Sequence, residues 1–288
     1  MELALGTVQF GVVYGVTGVT KLLLNDEVRE ILEHAFKRGI TILDTAQAYG
    51  DIESRLGMLC EGLGFRIVSK IPPVPEALDN YEAGQWVIES AQVSRERLGR
   101  KLYALLFHRA ENLTGSRGET IWEAVSKWGK AENVLIGASG YDAADMRQLF
   151  LKYRMPIAQL PGNALDQRIN CALAALDSKP ELHLRSAFLQ GLLLLPIENA
   201  VKLVPAGRPA LARWQQWLKH QGISAVHGAL SVVKSFEDVS TCVVGVDNLA
   251  QIEQLVDTWE EVRPINDGAL ACADPRLIDP RQWSTLDQ

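Results

Sequence analysis

Eight short apolar runs punctuate the chain, at residues 3–7, 40–43, 65–69, 102–107, 133–137, 156–160, 183–187 and 241–245. They are near-continuous rather than alternating, the pattern of strands covered on both faces and hence of a parallel sheet. Between them lie stretches of helical period. Asn25 is a residue type that caps helices. After it, Val28, Ile31, Leu32, Ala35 and Phe36 fall at i, i+3, i+4, i+7 and i+8, and Gly39 marks the stop. Residues 86–98, 120–128, 143–152 and 249–262 read the same way. Residues 196–213 read as a long inserted loop. The tail from about 263, with three prolines and little periodicity, reads as irregular; either segment could cover one end of the molecule.

Eight strands, most followed by a helix, predict an α/β fold of the (β/α)8 barrel type, one domain spanning residues 1–288. An open doubly wound sheet is the alternative, but no GxGxxG follows the first strand. The length of 288 residues suits one barrel of roughly 250 residues with additions. The net charge of −6 gives no support to a nucleic-acid-binding surface. No run of about 20 apolar residues would make a membrane span. The N-terminus lacks the basic segment and small-residue cleavage site of a secretory signal. The cysteines (Cys60, Cys171, Cys242, Cys272) are far apart with no CxxC, which fits a reducing cytoplasm and gives no structural metal site.

In a barrel, chemistry gathers where strands end. Asp44, Lys70 and His108 each directly follow an apolar run on three consecutive predicted strands, and Tyr49 lies just after Asp44. Taken singly, Asp44 reads as a turn or cap, Lys70 as a solvated charge, His108 as a structural histidine and Tyr49 as packing beneath the Gly50 turn. Taken together they place a carboxylate, an ammonium, an imidazole and a phenol on one rim.

These residues sit in motifs that resemble the aldo-keto reductase family. The segment Leu43-Asp44-Thr45-Ala46-Gln47-Ala48-Tyr49-Gly50, continuing through Glu53 to Leu56-Gly57, is similar to that family's LDTAxxYGxxExxLG pattern. Leu5-Gly6-Thr7 with Phe10-Gly11 resembles its first strand, and Ser69-Lys70 and Phe107-His108-Arg109 resemble its next two motifs. Gly137 to Tyr141 resembles a GxSN element with Gly140 in place of the asparagine. Gln159 with Asn163-Ala164-Leu165-Asp166 resembles QxxYNxLD, and the segments from Ser186 to Leu192 and from Val244 to Leu255 resemble the last two cofactor loops.

The resemblance implies reduction of a carbonyl by a nicotinamide cofactor, with NADPH the first expectation and NADH possible. Tyr49 is then the proton donor, Lys70 lowers its pKa, Asp44 orients Lys70, and His108 binds the carbonyl oxygen. Cofactor contacts are implied for Gly6, Thr7, Asp44, Ser139, Gln159, Arg185, Ser186, Phe188, Gln190, Gly191, Gly245, Val246, Asp247, Gln251 and Gln254. Two positions depart from the pattern. Arg185 stands where relatives stack a tyrosine on the nicotinamide, and its charge is expected to disfavour the oxidised cofactor. Gly245 and Gln251 replace the lysine and arginine that grip a 2′-phosphate. Backbone N–H groups of the following helix could still bind phosphate, whereas Asp247 would repel it if it faced inward.

The substrate expected is a sugar or small polar carbonyl, met by Arg109, Glu111 and Asn112 and by the rings of Tyr14 and Tyr141. The same residues leave two other readings open: a cofactor-sensing subunit, and a lyase- or epimerase-type use of the tetrad. Neither a nucleic-acid nor a membrane partner is expected, and oligomeric state is unreadable.

Overall fold

A computed structural model of the chain describes residues 1–12, 15, 22–172, 176 and 178–283. Eight parallel strands close into a barrel in sequence order: β1 (Glu2–Gly6), β2 (Ile42–Asp44), β3 (Arg66–Ile71), β4 (Leu102–Phe107), β5 (Leu135–Ser139), β6 (Ile157–Pro161), β7 (Glu181–Arg185) and β8 (Thr241–Gly245). The described helices are α1 (Val8–Gly11), α2 (Asn25–Lys37), α3 (Ile52–Leu59), α4 (Asn80–Leu98), α5 (Gly115–Glu132), α6 (Ala143–Tyr153), α7 (Ile169–Ala172), α8 (Ile197–Leu203), α9 (Arg208–Gln221), α10 (Ala225–Lys234), α11 (Leu249–Glu261) and α12 (Pro275–Ile278). β8 closes on β1 through five paired residues, from Glu2 with Thr241 to Gly6 with Gly245. This is the (β/α)8 barrel that the sequence predicts. Among the described residues no helix is long and apolar enough to cross a membrane.

Two apolar layers hold it. Ala4, Ile42, Val68, Ala104, Leu106, Ile157 and Val243 fill the barrel interior. A much larger shell, including Leu5, Leu43, Ile67, Leu105, Ala158 and Leu184, packs between the strands and the helices. Successive strand residues point to opposite faces, and this parity positions the site. Two residues past an interior apolar residue, each strand presents its last inward side chain at the C-terminal rim. Val68 is followed by Lys70, Ile42 by Asp44, Leu106 by His108 and Ile157 by Gln159.

Four predicted strands lie one or two residues early, as with 133–137 against Leu135–Ser139, two coincide with the observed ones, and 3–7 and 183–187 lie one and two residues late. An apolar run ends at its first polar residue, but Asp44, Lys70 and Ser139 stay in the ladder while pointing inward. Asn133 is not in a strand at all. It caps α5 in the left-handed conformation, with φ 55°, which asparagine tolerates. Asn25 is no N-cap. Leu24 occupies that position, and Asn25 Oδ1 instead accepts from Arg55 Nε at 2.8 Å.

Residues 196–213 are helical, not a loop. α8 and α9 are separated by one turn at Pro205–Gly207. The prolines that read as breakers sit at helix starts, where a missing N–H costs nothing. Ala210, Leu211, Trp214, Trp217 and Leu218 form the buried face of α9. α10 went unpredicted because it is apolar nearly all round: Gly228 to Val233 are all buried. The tail is anchored as well. Cys272 N–H donates to Leu165 O at 2.8 Å, and Leu270, Leu277, Ile278 and Trp283 are buried.

Candidate active site

A cavity of about 470 Å³ opens at the C-terminal rim, within the ordinary range for small-molecule sites. Asp44, Tyr49, Lys70 and His108 all line it, supplied by β2, the turn before α3, β3 and the residue after β4. Lys70 is 1% exposed. Its Nζ lies 2.6 Å from Asp44 Oδ1 and donates to Thr45 O at 2.9 Å. The other Asp44 oxygen accepts from Gln159 Nε2 at 2.7 Å. Asp44 O in turn accepts from the Thr7 hydroxyl at 3.0 Å. The Lys70 Nζ stands 5.6 Å from the Tyr49 ring centroid, and the Tyr49 and His108 rings meet edge to face at 5.9 Å.

Electrostatics follows from this burial. Burial pulls the Lys70 ammonium below the ordinary lysine value, and Asp44 pulls it back up. His108 is lowered to about 4, first by burial and then by Lys70 and Arg185, so its imidazole is neutral at working pH and can donate a ring N–H. Tyr49 goes the opposite way from the sequence expectation. Burial and then Asp44 push its phenol above the ordinary value, with Arg185 opposing. The Lys70 ammonium is spent on Asp44 and Thr45 O instead of on the phenol. The protein alone therefore holds Tyr49 fully protonated, the form a proton donor needs.

Every residue assigned a cofactor contact from sequence also lines this cavity: Gly6, Thr7, Ser139, Gln159, Arg185, Ser186, Phe188, Gln190, Gly191, Gly245, Val246, Asp247, Gln251 and Gln254. The loop after β7 is held in an unusual backbone. Ser186, Leu189, Gln190 and Gly191 all have positive φ, at 64°, 49°, 55° and 93°. Non-glycine residues reach that region at a cost of about 1 kcal/mol or more each, and such strain persists where a ligand surface is being shaped.

A sequence profile of the aldo/keto reductase family matches residues 2–269. The chain belongs to the aldo/keto reductase family. Solved structures share the fold. A Pseudomonas aeruginosa protein assigned to the aldo-keto reductases is 22% identical at a TM-score of 0.66, with 89% of this chain and 88% of that one covered. A second structure of such a protein from that organism is 20% identical at a TM-score of 0.65, with 89% and 88% covered. An aldo-keto reductase from Bacillus halodurans, in its holo form, is 17% identical at 0.73, with 98% and 95% covered. At these identities the likeness is one of fold. No curated protein matches the sequence significantly.

Other expectations fare differently in this aldo/keto reductase. Arg185 makes no ion pair among the described residues. Its Nη2 donates to Gly140 O at 3.0 Å and its guanidinium stacks on Tyr141 at 4.2 Å. Asp142 caps α6, accepting from Ala144 and Asp145 N–H. Arg109, Glu111 and Asn112 lie outside the cavity lining. Asn112 instead holds the β3 loop by accepting from Val74 N–H at 3.2 Å. Tyr141 does line the cavity, whereas Tyr14 lies outside the described residues. No cluster that could hold a metal occurs among the described residues.

Two features had no signal in the sequence. Gln9 lines the cavity with a buried Oε1 that has no partner. Arg281, from the tail, lies 3.6 Å over the Tyr141 ring. Both contacts join segments distant in sequence, so no local pattern announces them.

Proposed function

We propose that this aldo/keto reductase reduces an aldehyde or ketone to the alcohol, with a reduced nicotinamide dinucleotide as hydride source and Tyr49 as proton donor. The observation that carries the reading is the buried Lys70–Asp44 pair beneath a protonated Tyr49, with neutral His108 beside it, all in one cavity. A binding-only sensor has no use for a buried ammonium beside a phenol.

The lining fits a dinucleotide in the kind of atoms it offers. It mixes polar and apolar groups, and two buried acceptors, Gln9 Oε1 and Asp247 Oδ1, lack donors. A side chain at Gly245 would collide with Gln9, so glycine there keeps this wall open. When bound, the nicotinamide supplies hydride to the carbonyl carbon. Ser139 and Gln159 would hold its carboxamide end, and Arg185 its ring face.

As the carbonyl gains hydride, its oxygen gains negative charge. The neutral His108 N–H stabilises that charge, and Tyr49 delivers the proton. The charge left on the phenol is opposed by Arg185, the cation that already pulls the Tyr49 value down, while Asp44 holds Lys70 5.6 Å from the ring centroid. Tyr141, with Arg185 and Arg281 against its ring, offers a flat polar platform that suits a sugar or another small polar carbonyl. The unpaired thiols Cys60, Cys242 and Cys272 suit work in a reducing cytoplasm.

The test is turnover. The purified chain with NADH or NADPH and a panel of short hydroxyaldehydes and aldoses should deplete the reduced-nicotinamide absorbance with at least one carbonyl. Tight cofactor binding with no depletion across the panel would return the reading to the sensor.

A further inference from the structure

Resting on the reading above, we propose that Asp247 makes this enzyme select NADH over NADPH, its carboxylate accepting from the ribose 2′-hydroxyl where NADPH carries a phosphate. The turn from β8 into α11 forms one wall of the cavity, through Gly245, Val246, Asp247, Gln251, Gln254 and Leu255. Residues 245–255 contain no lysine, arginine or histidine. The cations of the lining stand elsewhere and are engaged: Lys70 with Asp44, Arg185 with Gly140 O and the Tyr141 ring.

A phosphate dianion at this wall would face a carboxylate, and among the described residues of the wall no cation offsets it. The start of α11 also spends part of its donor set on itself. Asp247 N–H donates to Gln251 Oε1 at 2.8 Å. Gln251 N–H donates to Asn248 Oδ1 at 3.0 Å. Two of the donors a phosphate would recruit from this turn are therefore already engaged within it.

What the wall lacks is a donor. Asp247 Oδ1 is buried without a partner, and its other oxygen has only a long contact from Gln251 Nε2 at 3.4 Å. Leaving a buried acceptor unmade is costly. Consistent with that want of donors, burial holds the Asp247 carboxyl above its ordinary value. Gln9 Oε1, packed against Gly245, is a second buried acceptor in the same state. Ribose hydroxyls supply what both require; a 2′-phosphate supplies more acceptors.

The experiment is binding without turnover, following quenching of tryptophan fluorescence as NADH or NADPH is titrated into the whole chain. NADH should bind at least about tenfold more tightly. In Asp247→Asn, which keeps the shape and removes the charge, the NADPH Kd should fall about fivefold or more while the NADH Kd rises. Gln251→Arg should tighten NADPH alone. NADPH binding as tightly as NADH to the unmodified chain overturns the proposal and leaves the proposed reduction standing. Failure of either dinucleotide to bind overturns both.

Discussion

At the scale of single residues, the chemistry rests on what burial does to three ionisable groups. It lowers Lys70 and His108 and raises Tyr49, which leaves a proton on the phenol and the imidazole neutral, with a single ring N–H, at neutral pH. His108 gains a proton only as pH falls toward about 4. An ordinary histidine would do so near 6.5. Reductive kcat/KM should therefore stay flat from pH 8 down to about pH 5 and then decline, the lost activity tracking imidazolium that crowds Lys70 and Arg185. An acid limb centred between pH 6 and 7, and abolished in His108→Gln, would show that the imidazole is not held neutral.

Lys70 and His108 were legible because each follows an apolar run, and Tyr49 because it lies just after Asp44, which does the same; parity within a strand does the rest. Their electrostatics were not, since the direction of the Tyr49 shift depends on how deeply the ring is buried and on Lys70 having a better partner. Both are tertiary facts. Gln251 was noted for the charge it lacks, but its bond to Asp247 N–H could be seen only in three dimensions.

At the scale of elements, the turn from β2 into α3 is fixed by Glu53, a residue the sequence marked only as part of a motif. Glu53 is 1% exposed. It accepts from Ser69 Oγ at 2.5 Å, Ser94 Oγ at 2.7 Å and Arg97 Nη1 at 3.1 Å. It thus ties α3 to α4 and to β3, at the residue before Lys70. Gln47 adds a bond to Ser94 Oγ at 2.7 Å. Removing one member of a buried charged network leaves the others unpaired. Glu53→Ala should cost about 2–4 kcal/mol of stability in urea unfolding, near the upper range for single substitutions. A cost under about 0.5 kcal/mol, as for a surface change, would show the network to be dispensable. The strands were readable from their continuous apolar character. α8 to α10 were not, because prolines at helix starts and an all-apolar α10 hide the helical period.

For the whole molecule, the barrel separates its tasks by end. The site uses the C-terminal rim, while the opposite end is closed by a polar cluster. Glu181 accepts from Tyr103 Oη at 2.7 Å and meets His183 Nε2 at 2.7 Å, with Arg66 over the Tyr103 ring at 4.9 Å. The hydrogen bond with His183, then that from Tyr103, holds Glu181 below its ordinary value. A carboxylate whose folded value is depressed stabilises the fold above its unfolded value, about 4.3. That contribution is lost as pH falls through the folded value. The Tm of the unmodified chain should thus drop as pH falls below about 4.3, and Glu181→Gln should flatten that drop. An identical acid limb in the variant would place the sensitivity elsewhere. The eightfold alternation made the barrel legible, but nothing local shows that the tail returns to lay Arg281 on Tyr141.

The measurement that bears most directly on the account is Tyr49→Phe, which removes one oxygen and keeps the ring. With an aldehyde that the unmodified chain reduces, kcat should fall by about 10²- to 10⁴-fold, the contribution of a positioned general acid, while the Kd for reduced cofactor changes less than about threefold. A variant that still reduces the aldehyde at the original rate would contradict the assignment of Tyr49 as proton donor.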